Sequence, residues 1–245
     1  MKPQFANSLF SFNATATSGA AGFPPSRVAN YATHPLLRTW RSTVTTQTDI
    51  ICDAGSAVAV RNIALLNVNF ATVQIARSSD NVTYNDITME MQPTLDVADG
   101  MYKCLNSMGS APRRYFRIRI ASQTPIDGAA YFSVGAVLLM DSLDTWPRDL
   151  IAPIRQGLVK ATMQSGDESI DTGDQYLSLE FDGIFSNQET DLMYQLSRNG
   201  RSNPIFWKEG TISPEKIYLV RLANDISYDR HGFHVALSLN LKAWY

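Results

Sequence analysis

Hydrophobic and polar positions alternate along most of this chain with the period of a β-strand. The cleanest case is Tyr115 to Ile120 (YFRIRI), where Phe116, Ile118 and Ile120 fall on one side and Tyr115, Arg117 and Arg119 on the other. Successive side chains of a strand point to opposite faces, so this pattern buries one face and wets the other. Thr72 to Arg77 alternates in the same way, with Val73 and Ile75 together. Ala57 to Asn67 (AVAVRNIALLN) and Tyr131 to Met140 are more continuously apolar, and the second contains Gly135, which predicts a bulge or a close backbone approach. Ser78-Ser79-Asp80-Asn81 is a turn signature. Short strands punctuated by turns, from about Ser42 to Met140, predict a β-sandwich.

The last third mixes both periods. Gln175 to Phe181, Pro204 to Trp207, Lys216 to Leu222 and Phe233 to Leu241 read as strands. Between the first two, Ser186-Asn187-Gln188-Glu189 has the form of a capping box. It predicts a helix carrying Leu192, Met193 and Leu196 and ending at Asn199-Gly200, where glycine tolerates the left-handed C-terminal position. The fold class expected is therefore mainly β: a sandwich, then a β-rich domain with one capped helix. The divisions are an arm at 1–30, the sandwich at 31–140, a linker at 141–153 rich in Pro and acidic residues, and a second domain at 154–245. The arm is rich in Ala, Ser, Gly and Pro, yet it carries Phe5, Phe10 and Phe12. With Trp244 and Tyr245 at the other terminus, these are the candidate interface residues, since exposed aromatics at chain ends are a liability unless something buries them. That cover is either their own domain or a neighbouring subunit.

Composition narrows the function classes. Apolar residues make up 44% of the 245, which is enough for a packed core, whereas charged residues reach only 18%. The net charge of −2 and a pI near 5.9 give no basic stripe for nucleic acid. No continuous apolar segment marks a secretory leader or a membrane span. Cys52 and Cys104 are too few for a disulfide scaffold and read as buried free thiols, with a pairing left open.

Reaction chemistry is sparse. The sequence has no glycine-rich phosphate loop, nucleophile elbow or zinc-binding helix motif. His34, His231 and His234 are the only histidines; the last two are three apart in a strand context, where odd spacing points to opposite faces. Asp167, Glu168, Asp171 and Asp174 cluster as a calcium loop would, but their spacing departs from the twelve-residue pattern, and a solvated acidic loop is the plainer reading. A pair of glycosidase carboxylates can come from any two positions, and none is favoured here. Trp40, Trp146, Trp207 and Trp244 can complete cores, stack on sugars or anchor an interface. No enzyme activity, cofactor or metal is expected.

From Thr39 to Asp86 the order of motifs resembles a discoidin-type, galactose-binding-like sandwich. The residues that carry it are Trp40-Arg41-Ser42, an Asp53-Ala54-Gly55 turn, the apolar strand Val60 to Asn67 and the Ser79 to Tyr84 turn. Arg114-Tyr115-Phe116-Arg117-Ile118 and the closing strand Tyr131 to Met140 complete it. The second half is similar in pattern and order to distal tail and minor tail proteins of long-tailed bacteriophages, through YLSLEFDGIFSNQETDLMYQL, PIFWKEG, IYLVRL and FHVALSLNLKAWY. The resemblance implies a virion structural protein: a ring-forming tail-tip subunit, made in the bacterial cytoplasm, whose partners are further copies of itself, the tail tube, and the baseplate hub or fibres. The alternative it implies is a carbohydrate-binding module for cell-surface glycans. The resemblance places no sugar-binding residue, because the loops have no matching signature.

Overall fold

The computed structural model describes residues 4–6, 9–29, 39–87, 90–96 and 100–145, and the strand segments 154–156, 159–162, 168–171, 176–181, 205–208, 217–222, 227–231 and 234–243. In chain order the first strands are β1 (Gln4–Ala6), β2 (Asn13–Ala16), β3 (Trp40–Arg41), β4 (Thr48–Val58), β5 (Asn62–Val68) and β6 (Gln74–Ser78). Then come β7 (Asp86–Ile87), β8 (Thr94–Asp96), β9 (Met101–Ser107), β10 (Arg113–Ile120), β11 (Ser133–Met140) and β12 (Asp144–Thr145). The remainder holds β13 (Ile154–Gln156), β14 (Val159–Thr162), β15 (Glu168–Asp171), β16 (Tyr176–Phe181), β17 (Ile205–Lys208), β18 (Ile217–Leu222), β19 (Ser227–His231) and β20 (His234–Ala243). Among the described residues the one helical segment is a 3-10 turn at Pro25–Ala29.

The chain divides into two compact units. One takes in Ser8–Leu143; the other takes in Met1–Asn7 with most of the chain from Asp144 onward. The first unit is an antiparallel sandwich of two five-stranded sheets, ordered β2-β4-β10-β6-β7 and β3-β11-β5-β9-β8. Its core follows from the alternation. Phe116, Ile118 and Ile120 of β10, with Ile50 and Cys52 of β4, face Ile63 and Leu65 of β5 and Val137 and Leu139 of β11. All of these are fully buried. Seven of the eight residues of β11 are buried, so both its faces are covered, as its unbroken apolar run requires.

Three local expectations change. Ala57 to Asn67 is not one strand: β4 ends at Val58, the chain crosses between the sheets at Val60-Arg61, and β5 begins at Asn62. Asp53-Ala54-Gly55 does not end a strand. It is an irregularity inside β4, where the register against β10 shifts between Arg113 and Tyr115 and Gly55 adopts φ +77°. The Asp53 carboxylate accepts the Gly55 N–H at 2.8 Å, and glycine takes this left-handed conformation without a Cβ penalty. The register runs unbroken past Gly135, so no bulge forms there.

The arm supplies structure. β2 pairs with β4, Phe12 and Val28 join the sandwich core, and Phe10 packs against it. In the second unit an eight-stranded sheet runs β12-β1-β17-β18-β20-β16-β13, with β19 paired to β20. β1 lies between β12 and β17, and Phe5 stacks on its register partner Trp207 with centroids 6.2 Å apart. β14 and β15 form a separate two-stranded antiparallel sheet. The capped helix expected at 186–199 lies outside the described residues.

Candidate functional site

Strand registers define the two ends of the sandwich. Asn13 pairs with Asp53, Val58 with Arg113, and Asn62 with both Met140 and Ser107. The chain therefore enters β2 and leaves β11 at one end. At the opposite end Ala16 pairs with Ile50, Thr48 with Ile120, and Val68 with Val134. The connections 17–29, 42–47, 69–73 and 121–132 gather there.

Side-chain amides and hydroxyls, those of Asn69 and Ser42 buried, tie these loops to one another. Asn69, nearly fully buried, donates to the Tyr131 carbonyl (3.0 Å) and to both Asp127 carboxylate oxygens (3.1 and 3.2 Å), and accepts from Ser133 N–H (2.7 Å). Asp127 also accepts the Ala129 N–H at 3.0 Å. Gln123 accepts the Ala71 and Thr72 N–H groups and donates back to the Thr72 carbonyl at 2.8 Å. Ser42 accepts from Phe132 N–H and donates to the Val44 carbonyl. Trp40 donates from Nε1 to the Ser18 carbonyl, which fastens the arm to the same end. Loops held this way keep a fixed shape before any ligand arrives, which lowers the cost of binding.

Two features stand on this platform. The first is an open cleft of about 200 Å³ lined by Gln47, Thr72, Gln74, Glu90 and Arg119, with Val73 and Ala121. Arg119 is fixed by a bidentate pair with Asp49, both contacts 2.8 Å, and this carboxylate holds its guanidinium more firmly charged. Gln47, Gln74 and Glu90 are exposed. The second is a stack of rings and guanidiniums. Arg41 lies over the Phe23 ring (4.1 Å to its centroid) and over the Tyr131 ring (4.8 Å), and Arg27 also lies over Phe23 (5.0 Å).

A second cleft, of about 180 Å³ and lined in part by Arg77, Ser78, Asp80, Thr83 and Arg113, lies at the end where the chain enters and leaves. Its polar groups hold the fold together. Arg77 donates to the Gly109 and Ala111 carbonyls, and Asp80 accepts from Ser78 Oγ and from the Val82 and Thr83 N–H groups. These bonds push the Asp80 pKa far below the ordinary carboxylate value. Asn81, at φ +63°, completes the turn expected from its sequence, and its side chain accepts from the Tyr84 hydroxyl.

The residues singled out from sequence are dispersed. Phe5 and Phe12 are buried in their own chain and Phe10 is partly buried, whereas Trp244 and Tyr245 lie outside the described residues. Trp40 and Trp207 are fully buried in separate units, and Trp146 and His34 fall outside the described residues. His231 and His234 are register partners on β19 and β20, not positions of one strand. Glu168 and Asp171 end β15, while Asp167 and Asp174 lie outside the described residues. Cys52 and Cys104 are free and buried; burial pushes the Cys104 thiol up to about 12 and Cys52 higher still. Sequence reasoning missed the loop-end group. One signal was present: positions 1–48 contain four basic residues and no Asp or Glu.

No family model matches the chain. No curated protein matches it. Among solved structures it is similar to CpGH89CBM32-5 from Clostridium perfringens in complex with GalNAc-β-1,3-galactose, at 13% identity and TM-score 0.44, over 54% of this chain and 99% of that one. A Streptococcus pneumoniae fucose binding module aligns at 9% identity and TM-score 0.43, over 56% and 95%. Chitosan-binding module 1 from a Paenibacillus sp. IK-5 chitosanase/glucanase aligns at 20% identity and TM-score 0.40, over 55% and 97%.

Proposed function

We propose that the sandwich unit is a non-catalytic binding module for glycans and that its ligand occupies the loop-end cleft. The observation that carries the reading is the lining itself: Gln47, Gln74, Thr72, Glu90 and Arg119 around an open cleft of about 200 Å³. A sugar ring presents adjacent hydroxyls, each both a donor and an acceptor. Glutamine amides offer both roles, Glu90 accepts and Arg119 donates. The cleft is smaller than the roughly 300–1,000 Å³ usual for a drug-sized ligand or cofactor, so it suits a single terminal sugar. Asp49, the neighbouring carboxylate, is committed to Arg119, so among the described residues Glu90 lines the cleft without a second free carboxylate for acid–base work. Three or four hydrogen bonds, each contributing about 1 kcal/mol net, give a dissociation constant of about 1 mM for one site. Useful attachment then comes from several copies acting together.

Screening the full chain on a glycan array, followed by titration of the best neutral or acidic hit, tests this. The Gln47→Ala, Gln74→Ala double variant is expected to lose at least tenfold in affinity with unchanged circular dichroism. Full retention of affinity by the folded variant overturns the assignment.

For residues 154–245 we propose the tail-tip assembly role as a second reading. Its support is that β16, β17, β18 and β20 fall on the four segments that carried the resemblance. Negative-stain images of the purified chain test it: closed rings support it, and a monodisperse monomer overturns it.

A further inference from the structure

The first 48 residues contain Lys2, Arg27, Arg38 and Arg41 and no acidic residue. Two of these cations, Arg27 and Arg41, stand at the loop end of the sandwich. The Ala20 N–H bonded to the Arg41 carbonyl and the 3-10 turn at Pro25–Ala29 bring the arm to β3 there. Both guanidiniums lie over the Phe23 ring, at 5.0 and 4.1 Å from its centroid, and Arg41 also lies over Tyr131 at 4.8 Å. All four side chains are half-buried, so the stack is held by packing yet reaches solvent.

Among the described residues neither cation has a carboxylate partner. Ion pairs of this unit include Arg61 with Asp141, Lys103 with Asp96, Arg114 with Asp53 and Arg119 with Asp49, and none of these carboxylates faces the stack's two cations. Arg41 spends Nε on Thr39 Oγ1 at 3.4 Å, and Arg27 spends one terminal nitrogen on the Thr39 carbonyl at 3.5 Å. The terminal nitrogens of Arg41 have no protein acceptor among the described residues. Asp127, the carboxylate of the 121–132 loop, is taken by Asn69 and by the Ala129 N–H. A guanidinium stacked on an aromatic face is oriented in advance, and its planar fork matches a carboxylate or phosphate with two parallel bonds. Two of them over one ring, with no counter-charge among the described residues, form a site that an anion completes.

We propose that the Phe23, Arg27, Arg41 and Tyr131 stack binds the anionic group of an acidic glycan, a uronate carboxylate or a phosphodiester, so that the loop end selects charged over neutral saccharides. The inference rests on the glycan-binding reading above and adds the ligand's charge. The stacked rings supply apolar faces for the sugar, and the guanidinium edges take the anion.

The test is titration of the full chain with three probes: an oligogalacturonate, a neutral galacto-oligosaccharide of the same length, and poly(glycerol phosphate). Each is run at low and high sodium chloride. The expected result is at least tenfold tighter binding of one or both anionic probes than of the neutral one, weakening as salt rises. Arg41→Gln should erase this preference, with anionic binding falling at least tenfold and neutral binding falling far less. Arg41→Lys keeps the charge but not the fork, and should recover only part of it. If Arg41→Gln fails to fold, Arg27→Gln is read in its place, with a smaller loss expected. Preference for the uronate or for the phosphate polymer identifies the source of the anion. Equal binding of neutral and anionic probes overturns this inference and leaves the glycan reading standing. Binding of none of the three, together with an empty array, overturns both.

Discussion

Replacing Asn69 with alanine removes the knot that fixes the proposed binding end. Asn69 lies nearly fully buried and joins three groups from the other side of the loop cluster: the Tyr131 carbonyl, the Ser133 N–H and the Asp127 carboxylate. Neutral hydrogen bonds contribute about 1 kcal/mol each and charge-assisted ones about 1.5–3 kcal/mol. Asp127 is exposed, so water replaces much of what it loses; Ser133 N–H is less accessible and is left unmet. The net loss is about 3 kcal/mol, which lowers the urea midpoint by about 1–2 M at a typical slope for a domain of this size. Asn69→Asp sharpens the test, because it keeps an acceptor for Ser133 but sets a carboxylate against Asp127. Like charge raises the folded-state pKa of the new carboxyl above its unfolded value of about 3.9. Its penalty relative to wild type is therefore full at neutral pH and shrinks as pH falls through that raised value, whereas the penalty of Asn69→Ala does not follow this course. Urea titrations of the three proteins at about pH 7 and about pH 4.5 provide the measurement. An Asn69→Ala midpoint within about 0.3 M of wild type, equivalent to roughly half a kcal/mol at such slopes, refutes the claim that this residue holds the loops.

Other outcomes follow from the same structure. Deleting residues 1–20 removes β2, the core side chain Phe12 and the Ser18 carbonyl that Trp40 bonds, a loss comparable to the roughly 5–15 kcal/mol total stability of a domain; calorimetry should find no cooperative transition for the sandwich, and an unchanged melting profile contradicts the arm's place in the fold. Cys52 and Cys104 are buried with their thiols pushed up, so Ellman's reagent should label neither in the native protein and both in denaturant; rapid native labelling of either contradicts the core assignment. Asp80 is held far below the ordinary carboxylate value by the bonds of its turn. Its contribution is complete above about pH 4 and is lost only as pH falls through the lower folded value, so Asp80→Asn should loosen the Ser78–Tyr84 turn at about pH 7, as amide exchange at Val82 and Thr83 would show, and protection unchanged from wild type contradicts it.

The sandwich was legible wherever one residue type had one job. β10 was readable because each apolar side chain points inward and each Arg or Tyr outward, and the structure buries Phe116, Ile118 and Ile120 as that alternation demands. The Ser78 to Tyr84 turn was readable because Asp80 and Asn81 act within a few residues of themselves. Continuous apolar stretches were harder. Ala57 to Asn67 has no period that marks where one strand leaves its sheet and the next begins, so the crossing at Val60-Arg61 was invisible. The arm read as separable because Ala, Ser, Gly and Pro dominate it, and nothing local reveals that β2 pairs with a strand far along the chain. The loop-end site was least legible of all. Gln47, Gln74, Glu90 and Arg119 come from four segments and are joined only by strand pairing, and an arginine's stacking partner cannot be read from its neighbours in sequence.

The most direct test of the account is to map where a glycan touches the 27.2 kDa chain by backbone amide chemical-shift changes during titration with the best array hit. The account predicts saturable shifts concentrated in residues 42–47, 69–74, 90–91 and 119–131, joined by 23–27 and 41 when the hit is acidic, with the 53–62, 78–86 and 107–113 segments silent. Shifts centred on those three segments, or none at several times the expected millimolar dissociation constant, contradict it.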